Sequence, residues 1–212
     1  MRLDAVFRKP LATAGSNPPL LVLLHGLAAD EHDLIGLADE LDPRLAVVSI
    51  RAPYSTGYGG YAWFGIEFLN DGRRMIDEDQ ALTSLEILVA DLRELAESLS
   101  PSRFILAGFS QGAMMAAGVV FRHSGMLDAA WLMSGRLLPS FVTKAVPERP
   151  LPILQQHGLY DEVLPVTEGR ELAQCLRAKG HDPIYTEYPM AHQISFESLE
   201  EADRWMRQTV LD

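Results

Sequence analysis

The chain has 212 residues, a length that suits one α/β domain, and we expect residues 1–212 to form a single domain. Its formal net charge of −11 argues against binding to nucleic acid or to anionic lipid head groups, because both kinds of binding begin with a basic surface. Residues 1–10 lack the apolar run of a signal peptide, and residues 20–24 are too few to span a bilayer, so no stable membrane insertion is expected. The single cysteine, Cys175, cannot form an internal disulfide, which fits a cytoplasmic protein. The sequence gives no indication of an oligomeric state.

Strand-like and helix-like segments alternate along the chain. Strand-like runs are predicted at residues 4–7, 20–24, 46–50, 103–106, 129–133, 152–156 and 183–188, and the run at 20–24 is continuously apolar. Helical spacing of apolar residues predicts helices at 34–41, 77–100, 113–120, 165–179 and 195–210, and an insertion rich in aromatic residues and glycine runs from 51 to about 75. This alternation indicates an α/β fold with a mostly parallel sheet and helices on both faces. In such a fold the substrate site lies at the carboxyl ends of the strands.

The sequence Gly-Phe-Ser-Gln-Gly at residues 108–112 lies where a predicted strand turns into a predicted helix. This context is typical of a nucleophile elbow, in which a sharp turn holds a serine in a strained backbone conformation. The glycines two residues before and after the serine leave room for the strand and helix to approach closely. We therefore predict that Ser110 is a nucleophile, against the alternative that residues 108–112 form an ordinary glycine-rich turn.

A serine hydroxyl needs a base, and three later histidines are candidates: His157, His181 and His192. In this fold class the chain order is serine, then acid, then histidine. His192 lies between the last predicted strand and the last predicted helix, which is the loop that suits the base. His157 ends a strand, and His181 lies on the way into one, at the opposite edge of the sheet. We predict His192 as the base, with a surface loop histidine or a helix cap as the structural alternative.

The base needs a carboxylate to orient it. Asp161 lies in the loop just beyond the strand that ends near His157, so chain order and loop position favour it. Its alternative role is that of a turn-forming aspartate. Asp182 is a weaker candidate because it adjoins the beginning of a strand.

An oxyanion hole needs two backbone N–H donors near the serine. The amide of Gln111, directly after the nucleophile, is the first candidate, and the amide of Leu27, in the loop after the early strand at 20–24, is the second. His25 in the same loop is interpreted as a brace that holds the loop by hydrogen bonding, since the chain-order rule already supplies a base elsewhere.

Together these motifs resemble the phospholipase/carboxylesterase family, which includes acyl-protein thioesterases and small bacterial carboxylesterases. The resemblance extends over nearly the whole chain, in the segments 24–27, 51–53, 62–64, 108–112, 157–161 and 191–192. It implies an α/β-hydrolase without metal or cofactor that acts on esters or thioesters, with Ser110, Asp161 and His192 as the triad and Leu27 and Gln111 as oxyanion donors. Two positions depart from the family pattern: Ala113 replaces a frequent second glycine, and Ala191 replaces a glycine before the base.

The insertion at 51–75 offers candidates for the substrate pocket. Trp63 and Phe64 could either complete the core or, as the resemblance suggests, form an apolar wall for the acyl chain. Leu164, Met190 and Leu27 are further candidate wall residues.

The leading hypothesis is a serine carboxylesterase that works through an acyl-enzyme on a small-molecule ester or thioester. Two rivals use the same triad, an acyl-protein thioesterase and a lysophospholipase, and no residue decides between them. A rival of another class is a ligand-binding protein on a hydrolase scaffold, since a fold alone does not fix function.

Overall fold

A seven-stranded sheet forms the centre of the structure. The computed structural model describes residues 1–12, 16–68, 74–144, 146–147 and 149–211. The strands, in chain order, are β1 (Ala5–Arg8), β2 (Leu20–Leu24), β3 (Ala46–Ile50), β4 (Tyr54–Ser55), β5 (Tyr61–Ala62), β6 (Ile66–Phe68), β7 (Arg74–Ile76), β8 (Phe104–Phe109), β9 (Ala129–Met133), β10 (Ile153–Gly158) and β11 (Ile184–Tyr188). The central sheet has the order β1-β3-β2-β8-β9-β10-β11, and only β1 pairs antiparallel to its neighbour. The predicted mostly parallel sheet is therefore confirmed.

In the described residues four α-helices accompany the sheet: α1 (Glu78–Leu99), α2 (Gln111–His123), α3 (Val166–Ala178) and α4 (Phe196–Met206). α1 begins at Asp77, whose side chain accepts a hydrogen bond from the Gln80 amide (2.9 Å) and so satisfies one of the free N–H groups of the first turn. The segment predicted as a helix at 34–41 is a 3₁₀ helix, Ile35–Glu40. This short run contains Gly36 and reaches Pro43 soon after, which leaves little room for a full α-helix.

The sheet is covered on both faces because its side chains point alternately to opposite sides. In β2, Leu20, Val22 and Leu24 belong to the core cluster that holds buried residues of α1, α2 and α3. Leu21 and Leu23 belong to the cluster on the other face, with residues of α4 and the 3₁₀ helix. The continuously apolar strand read from the sequence is thus buried on both sides.

The insertion after β3 forms two short antiparallel hairpins, β4–β5 and β6–β7. Residues 69–73 of the predicted insertion lie outside the described residues. None of the helices in the described ranges combines the length and apolar character needed to cross a membrane. Because β2, β8, β10 and β11 run parallel, the loops that follow them lie together at the carboxyl ends of the strands. The predicted site residues other than Trp63 and Phe64 lie in these loops or at the start of α2.

Candidate active site

Ser110 occupies a strained turn between β8 and α2. Its backbone has φ +55° and ψ −117°, a conformation that residues with a side chain rarely adopt. The turn is held by two hydrogen bonds, from the Ser110 amide to the Met133 carbonyl (2.9 Å) and from the Met114 amide to the Ser110 carbonyl (3.1 Å). Strain of this kind persists only where the surroundings enforce it, and it often marks a functional site.

Two glycines allow the elbow to close. A Cβ atom on Gly108 would lie 2.2 Å from the Gly112 carbonyl oxygen, and one on Gly112 would lie 2.0 Å from the Leu24 carbonyl oxygen. Neither position tolerates a larger residue without backbone movement, because α2 starts directly against β8 and β2. The glycine spacing in the sequence thus reflects backbone contacts rather than flexibility.

Three side chains form a hydrogen-bonded series at this edge of the sheet. His192 Nε2 lies 3.0 Å from Ser110 Oγ, and His192 Nδ1 lies 2.7 Å from Asp161 Oδ2. A carboxylate only accepts hydrogen bonds, so Nδ1 carries the proton and Nε2 is free to accept the hydroxyl proton of Ser110. The ring of Phe109 packs beside the His192 ring with centroids 4.9 Å apart. The structure thus brings together Ser110, His192 and Asp161.

Asp161 is held on both of its oxygens. Its Oδ1 accepts hydrogen bonds from the amides of Val163 (2.9 Å) and Leu164 (2.7 Å). Beside Oδ2 lies the fully buried ring of His157, whose Nε2 is 3.4 Å from that oxygen and donates to the Leu164 carbonyl at 2.8 Å. Asp161 is 5% exposed. The amides of Val163 and Leu164 and the ring of His157 together fix the orientation of its carboxylate toward His192.

The loop after β2 packs against the elbow. A Cβ atom on Gly26 would lie 3.3 Å from Ser110 Cβ, and the next residue, Leu27, lines the same cavity as Ser110. Within the described part of the chain, the amides of Leu27 and Gln111 donate to no acceptor. Ala28 follows with φ +64°, and its amide donates to the Tyr61 carbonyl (2.8 Å) in β5. The hairpin β4–β5 therefore holds this loop in place.

His25 fastens the same loop from inside. Its Nε2 accepts a hydrogen bond from the Ala52 amide (3.0 Å), so the ring proton lies on Nδ1, which donates to the Gly26 carbonyl (2.7 Å). Burial lowers the pKa of His25, which favours the neutral ring that this pattern requires. The structure therefore places His25 as the brace expected from the sequence, away from the hydrogen-bonded series of Ser110.

A cavity of about 300 Å³ opens above Ser110. Most of its wall is apolar, with Asp33 and Arg74 as charged members. Arg74 donates a hydrogen bond to the Val163 carbonyl and thereby connects the β6–β7 hairpin to the loop that carries Asp161. The lining residues are Gly26, Leu27, Ala29, Asp33, Ile66, Arg74, Phe109, Ser110, Gln111, Met114, Val163, Leu164 and His192.

Comparison with known proteins gives a consistent result. The model of the phospholipase/carboxylesterase family matches residues 12–210. The chain belongs to this family. It is 26% identical over 205 residues to a Bacillus subtilis (strain 168) protein named "Putative hydrolase MhqD", covering 96% of this chain and 100% of that one. It is also 30% identical over 122 residues to acyl-protein thioesterase 1 of Gibberella zeae, covering 55% of this chain and 52% of that protein.

Among solved structures, esterase PE8 superposes with a TM-score of 0.84 at 27% identity, over 99% of this chain and 100% of that one. The Bacillus cereus carboxylesterase gives a TM-score of 0.81 at 24% identity, over 98% and 95% of the two chains, which shows the shared fold. The α/β-hydrolase fold and the family resemblance are thus confirmed. The chain is a hydrolase of the carboxylesterase/thioesterase type.

The structure corrects three of the predicted pocket residues. Trp63 and Phe64 are fully buried in the core beneath the site and do not line the cavity. Trp63 is turned inward because its Nε1 donates to the His25 carbonyl (2.9 Å), a partner far away in sequence. Met190 is 7% exposed and does not line the cavity; its backbone is hydrogen-bonded to Tyr160 and Tyr188. Leu164 and Leu27 do line the cavity.

Gln111 has a function that the sequence analysis missed. Its side chain is 1% exposed, and its Oε1 accepts from the Trp63 amide (3.0 Å) while its Nε2 donates to the Phe64 carbonyl (2.9 Å). The residue after the serine thus ties the insertion to the elbow. A glutamine at the first position of a buried apolar helix was a signal that could have pointed to such a partner.

The cavity wall includes four apolar residues that sequence reasoning also missed: Ile66, Phe109, Met114 and Val163. Phe109 and Met114 could have been found from position, since one precedes the serine at the strand end and the other follows it by about one helical turn. No group of three or more His, Cys, Asp and Glu side chains within the described ranges is arranged to hold a metal ion.

Proposed function

We propose that this chain is a serine carboxylesterase that hydrolyses carboxylic esters through an acyl-enzyme. The single observation that carries the proposal is the series Ser110 Oγ, His192 and Asp161, joined at 3.0 and 2.7 Å, in which Ser110 and His192 line a mainly apolar cavity. A nucleophile, a base with its acceptor nitrogen toward the nucleophile, and an orienting carboxylate are the parts that acyl transfer to serine requires.

In the first half of the reaction, His192 Nε2 takes the Ser110 proton as Oγ attacks the ester carbonyl carbon. Asp161 keeps the ring in the correct tautomer and stabilises the imidazolium that forms. The imidazolium then gives its proton to the leaving alkoxide oxygen, and the bond between the carbonyl carbon and that oxygen breaks. An acyl group remains on Ser110 and an alcohol leaves.

In the second half, water takes the position of the alcohol. His192 removes a proton from the water as its oxygen attacks the acyl carbon. The bond between that carbon and Ser110 Oγ then breaks, and the protonated ring returns the proton to Oγ. The products are a carboxylic acid and the free enzyme, so no cofactor enters the balance.

The negative charge that develops on the carbonyl oxygen needs fixed donors. The amides of Leu27 and Gln111 are proposed for this role because the first follows the residue that abuts Ser110 and the second is the first N–H of α2. A helix N-terminus also carries a partial positive charge that favours an anion. Removal of one such donor typically costs about 10²–10³ in turnover.

The acyl group is proposed to occupy the cavity beside Leu27, Met114 and Leu164. A volume of about 300 Å³ is at the lower end for ligand pockets, which favours a short or medium acyl chain. The same site chemistry would accept a thioester, as the name of the Gibberella zeae relative suggests for that protein. The first question to test is therefore whether the chain prefers oxygen esters or thioesters.

The test is a panel of matched oxygen esters and thioesters with acyl chains of increasing length, measured for wild type and Ser110→Ala. We expect turnover of oxygen esters by the wild type and a loss of several orders of magnitude in the variant. Preference for thioesters at every chain length would make the chain a thioesterase with the same triad. Turnover by Ser110→Ala at the wild-type rate would refute the serine mechanism, and no turnover by either protein would favour a ligand-binding protein.

A further inference from the structure

A second cavity lies at the other end of the sheet from Ser110. It has a volume of about 470 Å³ and is bounded by the end of α2, the residues before β10 and the residues between α3 and β11. These are the amino ends of the parallel strands, whereas Ser110 is at their carboxyl ends. The volume falls in the range of small-molecule pockets.

Basic side chains are concentrated around this cavity. Arg122, Arg149 and Lys179 all line it, although the chain carries a net charge of −11. None of the three forms an ion pair with a residue that the structure describes. Arg122 donates to the Ser140 carbonyl (2.7 Å) and Lys179 donates to the Thr143 carbonyl, both of which are uncharged partners.

The acidic residues near these cations do not neutralise them within the described part of the chain. Asp182 follows the cavity residue His181, but its carboxylate lies 3.9 Å from the Arg177 guanidinium. Glu148 adjoins Arg149 in sequence and lies outside the described residues. The ends of α2 and α3 add partial negative charges of about one half each, which three full positive charges exceed.

His181 supplies a fixed donor in the cavity wall. It is 4% exposed, and its Nδ1 accepts a hydrogen bond from the Leu151 amide (3.1 Å). The ring proton therefore lies on Nε2. This N–H group donates to no described residue, and the ring lines the cavity. The Nε2–H group is therefore available to an acceptor that enters the cavity.

The wall also includes the apolar residues Val120, Phe121 and Leu151, with His123 and Ser124 as further polar members. A cavity lined by cations, an unused N–H group and apolar side chains matches a molecule that has both an anionic group and an apolar part. We propose that this cavity binds a small organic oxyanion, a carboxylate or a phosphate joined to an apolar body. Arg122, Lys179 and His181 hold the oxyanion, and Val120, Phe121 and Leu151 contact the apolar part.

Isothermal titration calorimetry of the full chain tests this proposal. The probes are phenyl phosphate and benzoate, which distinguish phosphate from carboxylate, and benzyl alcohol, which has the apolar body without the charge. The variants are Lys179→Gln and His181→Asn, and the matched control is Lys9→Gln, which removes the same charge from an exposed site. Thermal unfolding and ester turnover of each variant report on folding, independently of the cavity.

We expect one of the two anions to bind with one-to-one stoichiometry and benzyl alcohol to bind far more weakly. Lys179→Gln should weaken the anion about tenfold or more, the effect of one charged hydrogen bond, and Lys9→Gln should leave it unchanged. His181→Asn should also weaken it if the Nε2–H donates to the oxyanion. Equal affinity in wild type and Lys179→Gln, equal binding of benzyl alcohol, or no anion binding at millimolar concentration would each overturn the proposal.

Discussion

The elbow with its partner loops (residues 104–123, 158–164 and 189–192) and the described part of the insertion (residues 51–68 and 74–75) meet at the same cavity, but they differ in what determines their shape. Gly108 and Gly112 let the elbow close by local backbone contact. The insertion takes its shape from distant partners, since Gln111 binds the backbone of Trp63 and Phe64 and the His25 carbonyl binds the Trp63 ring. The first region holds the proposed chemistry, and the second supports it. Changes to Ser110, His192 or Asp161 should therefore affect turnover, and changes to the contacts that hold the insertion should affect stability.

The largest effect is expected for Asp161→Asn, which should reduce turnover much more than stability. The Asn oxygen can keep the hydrogen bonds from the Val163 and Leu164 amides, but its NH₂ group then faces His192 Nδ1. The ring adopts the tautomer with the proton on Nε2, and Ser110 loses its acceptor. Turnover should fall about 10⁴-fold. Ester kinetics and chemical denaturation measure the two effects, and a loss of activity that only follows unfolding would contradict this assignment.

Gln111→Leu should instead reduce stability more than turnover. It leaves the Trp63 N–H and the Phe64 carbonyl buried without partners, at about 1–3 kcal/mol each. We expect the free energy of unfolding to fall by about 2–6 kcal/mol, measured by chemical denaturation. Gln174→Leu, the same change at an exposed position of α3, is the matched control and should change the free energy little. A stable Gln111→Leu protein would show that the insertion does not depend on this contact.

Smaller effects, different in kind, are expected for changes in the cavity wall and for changes in the core beneath it. Leu164→Ala removes part of the wall and should favour longer acyl chains by about tenfold in kcat/KM, the effect of a methylene in an apolar pocket. Trp63→Phe removes the hydrogen bond to the His25 carbonyl and should lower stability by about 1–3 kcal/mol without changing the preferred chain length. The ester panel distinguishes the two variants. A changed chain-length preference in Trp63→Phe would indicate that Trp63 contacts the acyl chain.

The smallest expected effect is a pH dependence of the brace. Burial lowers the pKa of His25 in the folded chain, so the unfolded chain binds the proton more readily. The stability that the neutral ring contributes is present above its unfolded pKa, near 6.5, and is lost as the pH falls below that value. The difference in the free energy of unfolding between wild type and His25→Asn should therefore narrow from pH 8 to pH 5.5. A difference that stays constant between pH 8 and pH 5.5 would show that protonation of His25 does not affect stability.

The sequence predicted those parts of the structure that depend on local pattern. The strands Leu20–Leu24, Ala46–Ile50 and Ala129–Met133 are confirmed at their predicted limits, and all of their residues are buried, as their mainly apolar sequences indicate. The fold then brings Ser110, Asp161 and His192 within hydrogen-bonding distance, as chain order and loop position suggested. Their catalytic roles remain predictions.

The sequence did not predict what long-range contacts decide. An aromatic side chain on an insertion can face a pocket or the core, and for Trp63 the choice depends on a carbonyl 38 residues away in sequence. The cavity around His181 was equally hidden, because its basic residues come from three separate segments of an acidic chain. Composition averages over such local concentrations of charge.

The most direct test of the central claim is covalent labelling with a fluorophosphonate probe, followed by peptide mapping by mass spectrometry. The proposed mechanism predicts one adduct per chain, on Ser110, that is absent from Ser110→Ala and forms orders of magnitude more slowly in His192→Ala. An adduct on another residue, or no adduct on a folded wild-type protein, would contradict the account.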